Sequence, residues 1–192
     1  IDVVVCPGNH DVDFSEHDEV REAVLTKVRS SGAKDVSQKL IDAATAAQEN
    51  FFTFRKRVST IALDFDNKLV WEHRLEVGER SVGIRCLNVA WMSELKEKQG
   101  SLHFPEGLIR TLDHGSKRGL NITVLHHPFN WYSQSSYQAF KTAVRHESHL
   151  VLTGHEQYQN VGETQDVHSS PSVFVEGGVL FETADKGETS TF

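Results

Sequence analysis

The stretch "NITVLHHP", residues 121–128, sets the interpretation of the chain, because an apolar run ends abruptly in polar residues. Its aliphatic and β-branched residues predict a short buried strand, and the residues after it predict a loop. The same pattern recurs in "VVVCPGNHD", residues 3–11, and in "HLVLTGHEQ", residues 149–157. Ligands of α/β sheets bind beyond the carboxyl ends of strands. If the three strands lie side by side, four polar side chains meet at one edge of the sheet: Asn9, His10, His126 and His155.

The rest of the chain predicts a mixed α/β domain that includes the whole of residues 1–192. Residues 15–60 have helical periodicity and are expected to form an αα insertion after the first strand. Two runs, 68–77 and 81–92, flank a Gly-Glu turn and predict an antiparallel hairpin. The remaining predicted elements are a helix over 105–119 that begins at Pro105, a helix over 136–148, and short strands over 172–178 and 179–183.

Composition is that of an ordinary soluble globular protein, with 38% hydrophobic and 24% charged residues. The net charge of −7 provides no general attraction to phosphate backbones or to anionic membranes. A nucleic-acid substrate is therefore disfavoured, and any anionic ligand needs a local positive charge such as a metal ion. No apolar run reaches transmembrane length, and the start does not resemble a signal peptide.

Cysteine and histidine usage adds two expectations. Cys6 and Cys86 both lie in apolar runs, which is typical of small buried side chains rather than of a disulfide and suits a reducing, cytoplasmic location. Five of the 11 histidines fall within residues 126–155, a density that favours metal binding. Histidine and asparagine without cysteine suit zinc, manganese or iron.

These stretches together resemble the calcineurin-like metallophosphoesterases. The family pattern runs D-x-H, G-D-x-x-D, G-N-H-D/E, a histidine before x-P, and G-H-x-H. The last three occur here in order, as "GNHD" at 8–11, "HHP" at 126–128 and "GHEQ" at 154–157. Two further stretches, "CLNVAW" and "HHPFNWY", are similar to bacterial members. The resemblance implies a four-layer α/β/β/α sandwich that hydrolyses phosphomonoesters or phosphodiesters with two metal ions, manganese, iron or zinc.

The resemblance also implies a role for each matching residue. Asn9, His126 and His155 correspond to ligands of the second metal ion. His10 corresponds to the acid that protonates the leaving group, and Asp11 would orient it. The implied substrate is a phosphorylated small molecule or a nucleotide.

Two departures from the family pattern limit how many of the family's metal ligands this chain can supply. The first two motifs do not precede Gly8, so the chain is expected to be an N-terminally truncated member with little or no activity by itself. In the last motif Gln157 takes the place of the second histidine, a ligand of the first metal ion, and an amide oxygen is a weaker ligand than imidazole. Glu156 is a possible substitute ligand.

Several alternatives remain open at the level of sequence. His127 is expected to support the ligands rather than to bind metal. Trp131 and Tyr132 either stack on a flat leaving group such as a nucleobase or pack within their loop. The whole chain is either an enzyme or a non-catalytic relative that binds metal or protein, and a nuclease is a third possibility.

Overall fold

A computed structural model describes residues 2–15, 18–33, 36–110, 112, 118–156, 160–164 and 172–177. A mixed sheet of seven strands forms its centre, in the order β1-β2-β3-β4-β5-β7-β6. The strands are β1 Leu63–Asp66, β2 Val70–Val77, β3 Arg80–Leu87, β4 Arg118–Leu125, β5 Leu150–Thr153, β6 Asn160–Thr164 and β7 Ser172–Glu176. Together with its helices, this sheet confirms the α/β class.

Strand direction brings the polar loops to one edge of the sheet. β2 and β3 form the predicted hairpin, and Gly78 in its turn has a φ of +61°, which glycine adopts without strain. β3, β4, β5 and β7 are parallel neighbours. Their carboxyl ends therefore lie along one edge, which is where His126 and His155 follow β4 and β5.

Four α-helices accompany the sheet in the described part of the chain: α1 Glu19–Ser31, α2 Gln38–Thr45, α3 Glu49–Val58 and α4 Gln134–His146. The helical prediction for residues 15–60 is confirmed where the structure describes them, with three helices instead of two. Asp18 begins α1 by accepting a hydrogen bond from the backbone N–H of Arg21, and Gly32 ends it with a φ of +66°. None of the helices in the described ranges is long and apolar enough to cross a bilayer.

The sheet is covered on both faces because consecutive residues of a strand point to opposite sides. Val70, Leu87 and Leu125 belong to the larger apolar cluster, with side chains from α1, α2 and α4. Their neighbours Trp71, Cys86 and Val124 belong to a second cluster on the other face. That cluster also contains Phe51 and Phe52 of α3 and residues Val4, Val5 and Cys6.

Two sequence predictions fail within the described residues. Residues 2–8 form no strand, because β4 already pairs with β3 on one side and with β5 on the other. This segment lies against the sheet instead, where the Cys6 thiol donates to the carbonyls of Leu87 and Val124, at 3.3 and 3.5 Å. The helix expected at Pro105 shrinks to one 3-10 turn, Glu106–Leu108.

Both cysteines are free thiols, as the sequence indicated. Cys86 is fully buried in β3, and Cys6 is partly buried beneath it. Burial raises the pKa of the Cys6 thiol well above its ordinary value, and the neighbouring Cys86 raises it further. Both side chains therefore behave as small packing groups.

Candidate metal centre

His126 is the first residue after β4, and its ring lies between two glycines. The backbone N–H of Gly154 donates to the carbonyl oxygen of His126 at 3.0 Å, which extends the pairing of β4 with β5. A Cβ atom on Gly8 would lie 2.8 Å from the ring, and one on Gly154 would lie 3.3 Å from it. The close approach of the His126 ring therefore requires glycine at position 8. At position 154 the ring leaves little room for a side chain.

Three predicted ligands meet at the Nε2 atom of His126. This atom lies 2.9 Å from Oδ1 of Asn9 and 3.1 Å from Nδ1 of His155. These residues are 117 and 29 positions from His126 in the sequence, so only the fold brings them together. All three are partly buried.

The donor atoms fit a transition-metal ion. Two imidazole nitrogens and an amide oxygen are ligands that zinc, manganese and iron accept. Bonds of about 2.0–2.2 Å at tetrahedral or octahedral angles separate donor atoms by roughly 2.9–3.4 Å. The observed separations of 2.9 and 3.1 Å lie in that range. The three side chains therefore need little rearrangement to hold one ion.

Asn9, His10 and Asp11 form a single 3-10 turn at this edge. Oδ2 of Asp11 accepts a hydrogen bond from the backbone N–H of Gly8 at 2.8 Å, so this carboxylate fixes the turn. No hydrogen bond joins Asp11 to His10 among residues 2–15, and both side chains are exposed. The expected orienting contact is therefore not formed here, although His10 is near enough for its charge to influence His126 and His155.

The Trp131 side chain holds His155 from the outside. His155 has a φ of +70°, which is unusual for a residue other than glycine. The ring of Trp131 packs edge-on against it with centroids 4.2 Å apart, and its indole N–H donates to Oε1 of Glu156 at 3.0 Å. Glu156 is thus engaged by Trp131, and its side chain makes no hydrogen bond with the three ligands in the described part of the chain.

Tyr132 belongs to the core and not to the site. Only 3% of it is exposed, and its ring stacks on Phe140 with centroids 4.3 Å apart. The structure therefore favours the packing alternative for Tyr132. Trp131 is half-buried and contacts His155 and Glu156, so packing is its main role as well.

His127 lies behind the ligands in a fully buried position. Its Nε2 atom lies 3.2 Å from Oε2 of Glu97, whose side chain is only 8% exposed. The ring centroid of His127 is 4.8 Å from that of His126 and 4.4 Å from that of His155. Sequence reasoning missed Glu97, because it lies in the charged stretch "SELKEKQG", which predicts only a solvated loop.

Burial shifts the pKa values of the ionisable side chains at this site. The pKa of His126 is lowered to about 3, chiefly because burial disfavours the charged ring, and also because His127 and His155 lie close to it. Burial and His127 likewise lower the pKa of His155. Burial alone would raise the pKa of Glu97, but its hydrogen bonds, with His127 above all, bring that pKa below its usual value. Neutral imidazoles beside a carboxylate form an environment that favours a cation.

We expect the metal-free chain to lose stability in mild acid because of His126. An unfolded histidine titrates near pH 6.5, whereas His126 stays neutral in the folded state down to about pH 3. Between these values the unfolded chain binds more protons, so the free energy of unfolding falls as the pH falls. Urea unfolding in EDTA should show wild type losing about 2 kcal/mol more than His126→Gln between pH 7 and pH 5. Equal losses in both chains would contradict this assignment.

Gln157 lies outside the described residues. Comparison with known proteins finds no family model, no curated protein and no solved structure that matches the chain. The functional proposal for this chain therefore rests on its residues and on their geometry.

Proposed function

We propose that the protein is a metal-dependent phosphoesterase of the calcineurin-like type, which hydrolyses a phosphomonoester or phosphodiester. The observation that carries the proposal is the convergence of Asn9, His126 and His155 on one point. These three residues come from three separate motifs that follow the family order in the sequence. A shared point of contact is what a common metal ion requires of them.

The residues have separate tasks in this proposal. Asn9, His126 and His155 hold an ion of manganese, iron or zinc, and a second ion is implied by the family resemblance. Bound metal ions of this kind supply a hydroxide nucleophile near neutral pH and neutralise phosphoryl oxygens. His10 is exposed beside the site and has an imidazole that can donate a proton to the departing alkoxide oxygen.

The four-layer α/β/β/α sandwich is the architecture that we propose for the domain. Helices α1, α2 and α4 cover one face of the sheet. Residues 4–6 lie against the opposite face, together with α3. The second sheet of such a sandwich would occupy this opposite face, so the sandwich is proposed from the family resemblance.

The net charge of −7 favours a small substrate over a nucleic acid. A cleft of about 450 Å³ is lined by Asp13, just after the Asn9–Asp11 turn, and by residues 94–96, just before Glu97. Its other lining residues include the apolar Phe14 and Leu25. Three further carboxylates also line it: Asp18, Glu22 and Glu94. The basic side chains of Arg21 and Lys96 line it as well, and none of the three proposed ligands does.

A non-catalytic metal-binding module is the second candidate, and Gln157 is the observation that favours it. Replacement of an imidazole by an amide weakens the ligand set for the first ion. Such a module would bind one metal ion through Asn9, His126 and His155 and would not turn over phosphoesters.

The test is hydrolysis by the full natural polypeptide that contains these 192 residues. With Mn²⁺ present, we expect cleavage of p-nitrophenyl phosphate or of its bis-ester. His10→Ala should lower kcat by about 10²–10⁴-fold for phenyl phosphate, a poorer leaving group, and by less for p-nitrophenyl phosphate. Metal content should not change in this variant, because His10 is not a ligand.

The control for this assay is His146→Ala, which removes an exposed histidine of α4 and should leave the rate unchanged. Full metal loading without any metal-dependent hydrolysis would reject the enzyme and favour the module. Equal effects of His10→Ala on the two monoesters would reject its role as the acid.

A further inference from the structure

We propose that His127 is a third imidazole ligand of this metal centre and that Glu97 orients it for that role. The inference rests on the proposed function only in requiring a metal ion at the site, not in requiring hydrolysis. The ligand set is then His126, His127 and His155, with the Asn9 amide beside them. The family resemblance supplies only two of these imidazoles.

The three histidines form one compact group. Their ligand nitrogens all lie within 4.8 Å of one another. The nitrogens of His126 and His155 are already 3.1 Å apart, close to the roughly 3.3 Å between donors of a tetrahedral site. To reach that separation, the His127 nitrogen needs to approach by up to about 1.5 Å. The three side chains are within reach of a single ion.

Glu97 determines which nitrogen of His127 is available. A carboxylate only accepts hydrogen bonds, so Nε2 of His127, 3.2 Å from Oε2 of Glu97, must carry the proton. In the neutral ring, Nδ1 then presents a lone pair. That atom is buried and has no hydrogen-bond partner in the described part of the chain. A metal ion is a natural partner for such a lone pair, and a carboxylate behind a ligating histidine is a recurrent arrangement.

The charge at the site supports the same conclusion. His127 is fully buried and the Glu97 side chain is 8% exposed, so the carboxylate charge is largely removed from water. An imidazole that ligates a metal ion is neutral, so it does not itself compensate that negative charge. A bound cation would balance it across the ring of His127, which makes the pair more stable with metal than without it.

The chemical consequence concerns which metal binds. Three imidazoles favour a borderline d-block ion, with Zn²⁺ or Co²⁺ preferred over Mg²⁺ or Ca²⁺, which select oxygen ligands. Gln157 stands at the position of a ligand of the first ion, so this centre does not depend on it. The chain would then hold a single Zn²⁺ through its own residues.

The experiment counts imidazoles by X-ray absorption spectroscopy of the chain loaded with one equivalent of Zn²⁺. We expect three imidazoles in wild type and two in His127→Gln. Glu97→Gln should keep three, because the amide still accepts the hydrogen bond, while its Zn²⁺ affinity falls about 10–100-fold. His103→Gln is the matched control, since His103 is a buried histidine that bonds to Ser136 elsewhere in the core, and it should keep three.

Two imidazoles in wild type would overturn the inference, and this count decides even if His127→Gln fails to fold. An absence of Zn²⁺ binding by wild type would overturn it as well. Hydrolysis is scored separately. Two imidazoles with an active enzyme would reject only this inference, whereas three imidazoles without activity would reject only the proposed function.

Discussion

Replacing His126 with alanine is expected to lower the affinity of the chain for Zn²⁺ by about 100-fold or more. Nε2 of His126 is the atom that both Asn9 and His155 contact, at 2.9 and 3.1 Å. Without this ring the other two donors have no common neighbour, and the partly buried space between Gly8 and Gly154 opens to water. The site then loses its central ligand and not a peripheral one.

A competition titration against a chromophoric chelator measures this loss directly. Thermal unfolding gives a second reading, because a ligand that binds only the folded state stabilises it by RT ln(1 + [L]/Kd). A 100-fold weaker Kd at saturating zinc removes about 2.7 kcal/mol of that stabilisation. His146→Ala is the control, since His146 is 68% exposed on α4. An unchanged Zn²⁺ affinity in His126→Ala would remove His126 from the ligand set.

Adding a single methyl group at Gly8 is expected to reduce Zn²⁺ affinity by at least about 10-fold. The new Cβ atom would lie 2.8 Å from the imidazole of His126, a separation that requires one of them to move. The ring is the more mobile partner, because Gly8 is held by the turn that Asp11 closes. Gly8→Ala therefore displaces a ligand without removing any donor atom.

A graded series makes this prediction specific. Gly154→Ala puts the new carbon 3.3 Å from the same ring and should have a smaller effect. Gly107→Ala meets no atom within 4 Å and should leave Zn²⁺ affinity unchanged. The chelator titration on all three variants tests the order. If Gly8→Ala bound zinc as tightly as Gly107→Ala, the close packing around His126 would have no role in metal binding.

The parts of the site that could be predicted from sequence follow from local pattern. The strands before His126 and His155 are short apolar runs, and adjacent parallel strands necessarily bring the residues that follow them to one edge. The hairpin of β2 and β3 was equally clear, because alternation and a glycine turn are local signals. Asn9 lies at the same site, beside His126, although the segment that precedes it forms no strand.

The failures have a physical cause in tertiary context. An apolar run such as residues 3–6 signals burial, but burial against a sheet face and pairing within a sheet have the same local pattern. Pro105 suits the start of a helix, yet the chain continues as only one 3-10 turn. Glu97 is separated from His127 by 30 residues, and the charged residues beside it in the sequence give no indication that it is buried. Contacts of that kind are set by the fold and leave no periodic signal.

The most direct test of a metal centre at His126 is anomalous diffraction from crystals of the chain soaked in Zn²⁺. The account predicts one strong anomalous peak about 2.0–2.1 Å from Nε2 of His126 and from Nδ1 of His155, with Oδ1 of Asn9 beside it. The absence of a peak at saturating zinc, or a peak bound only by other residues, would contradict it.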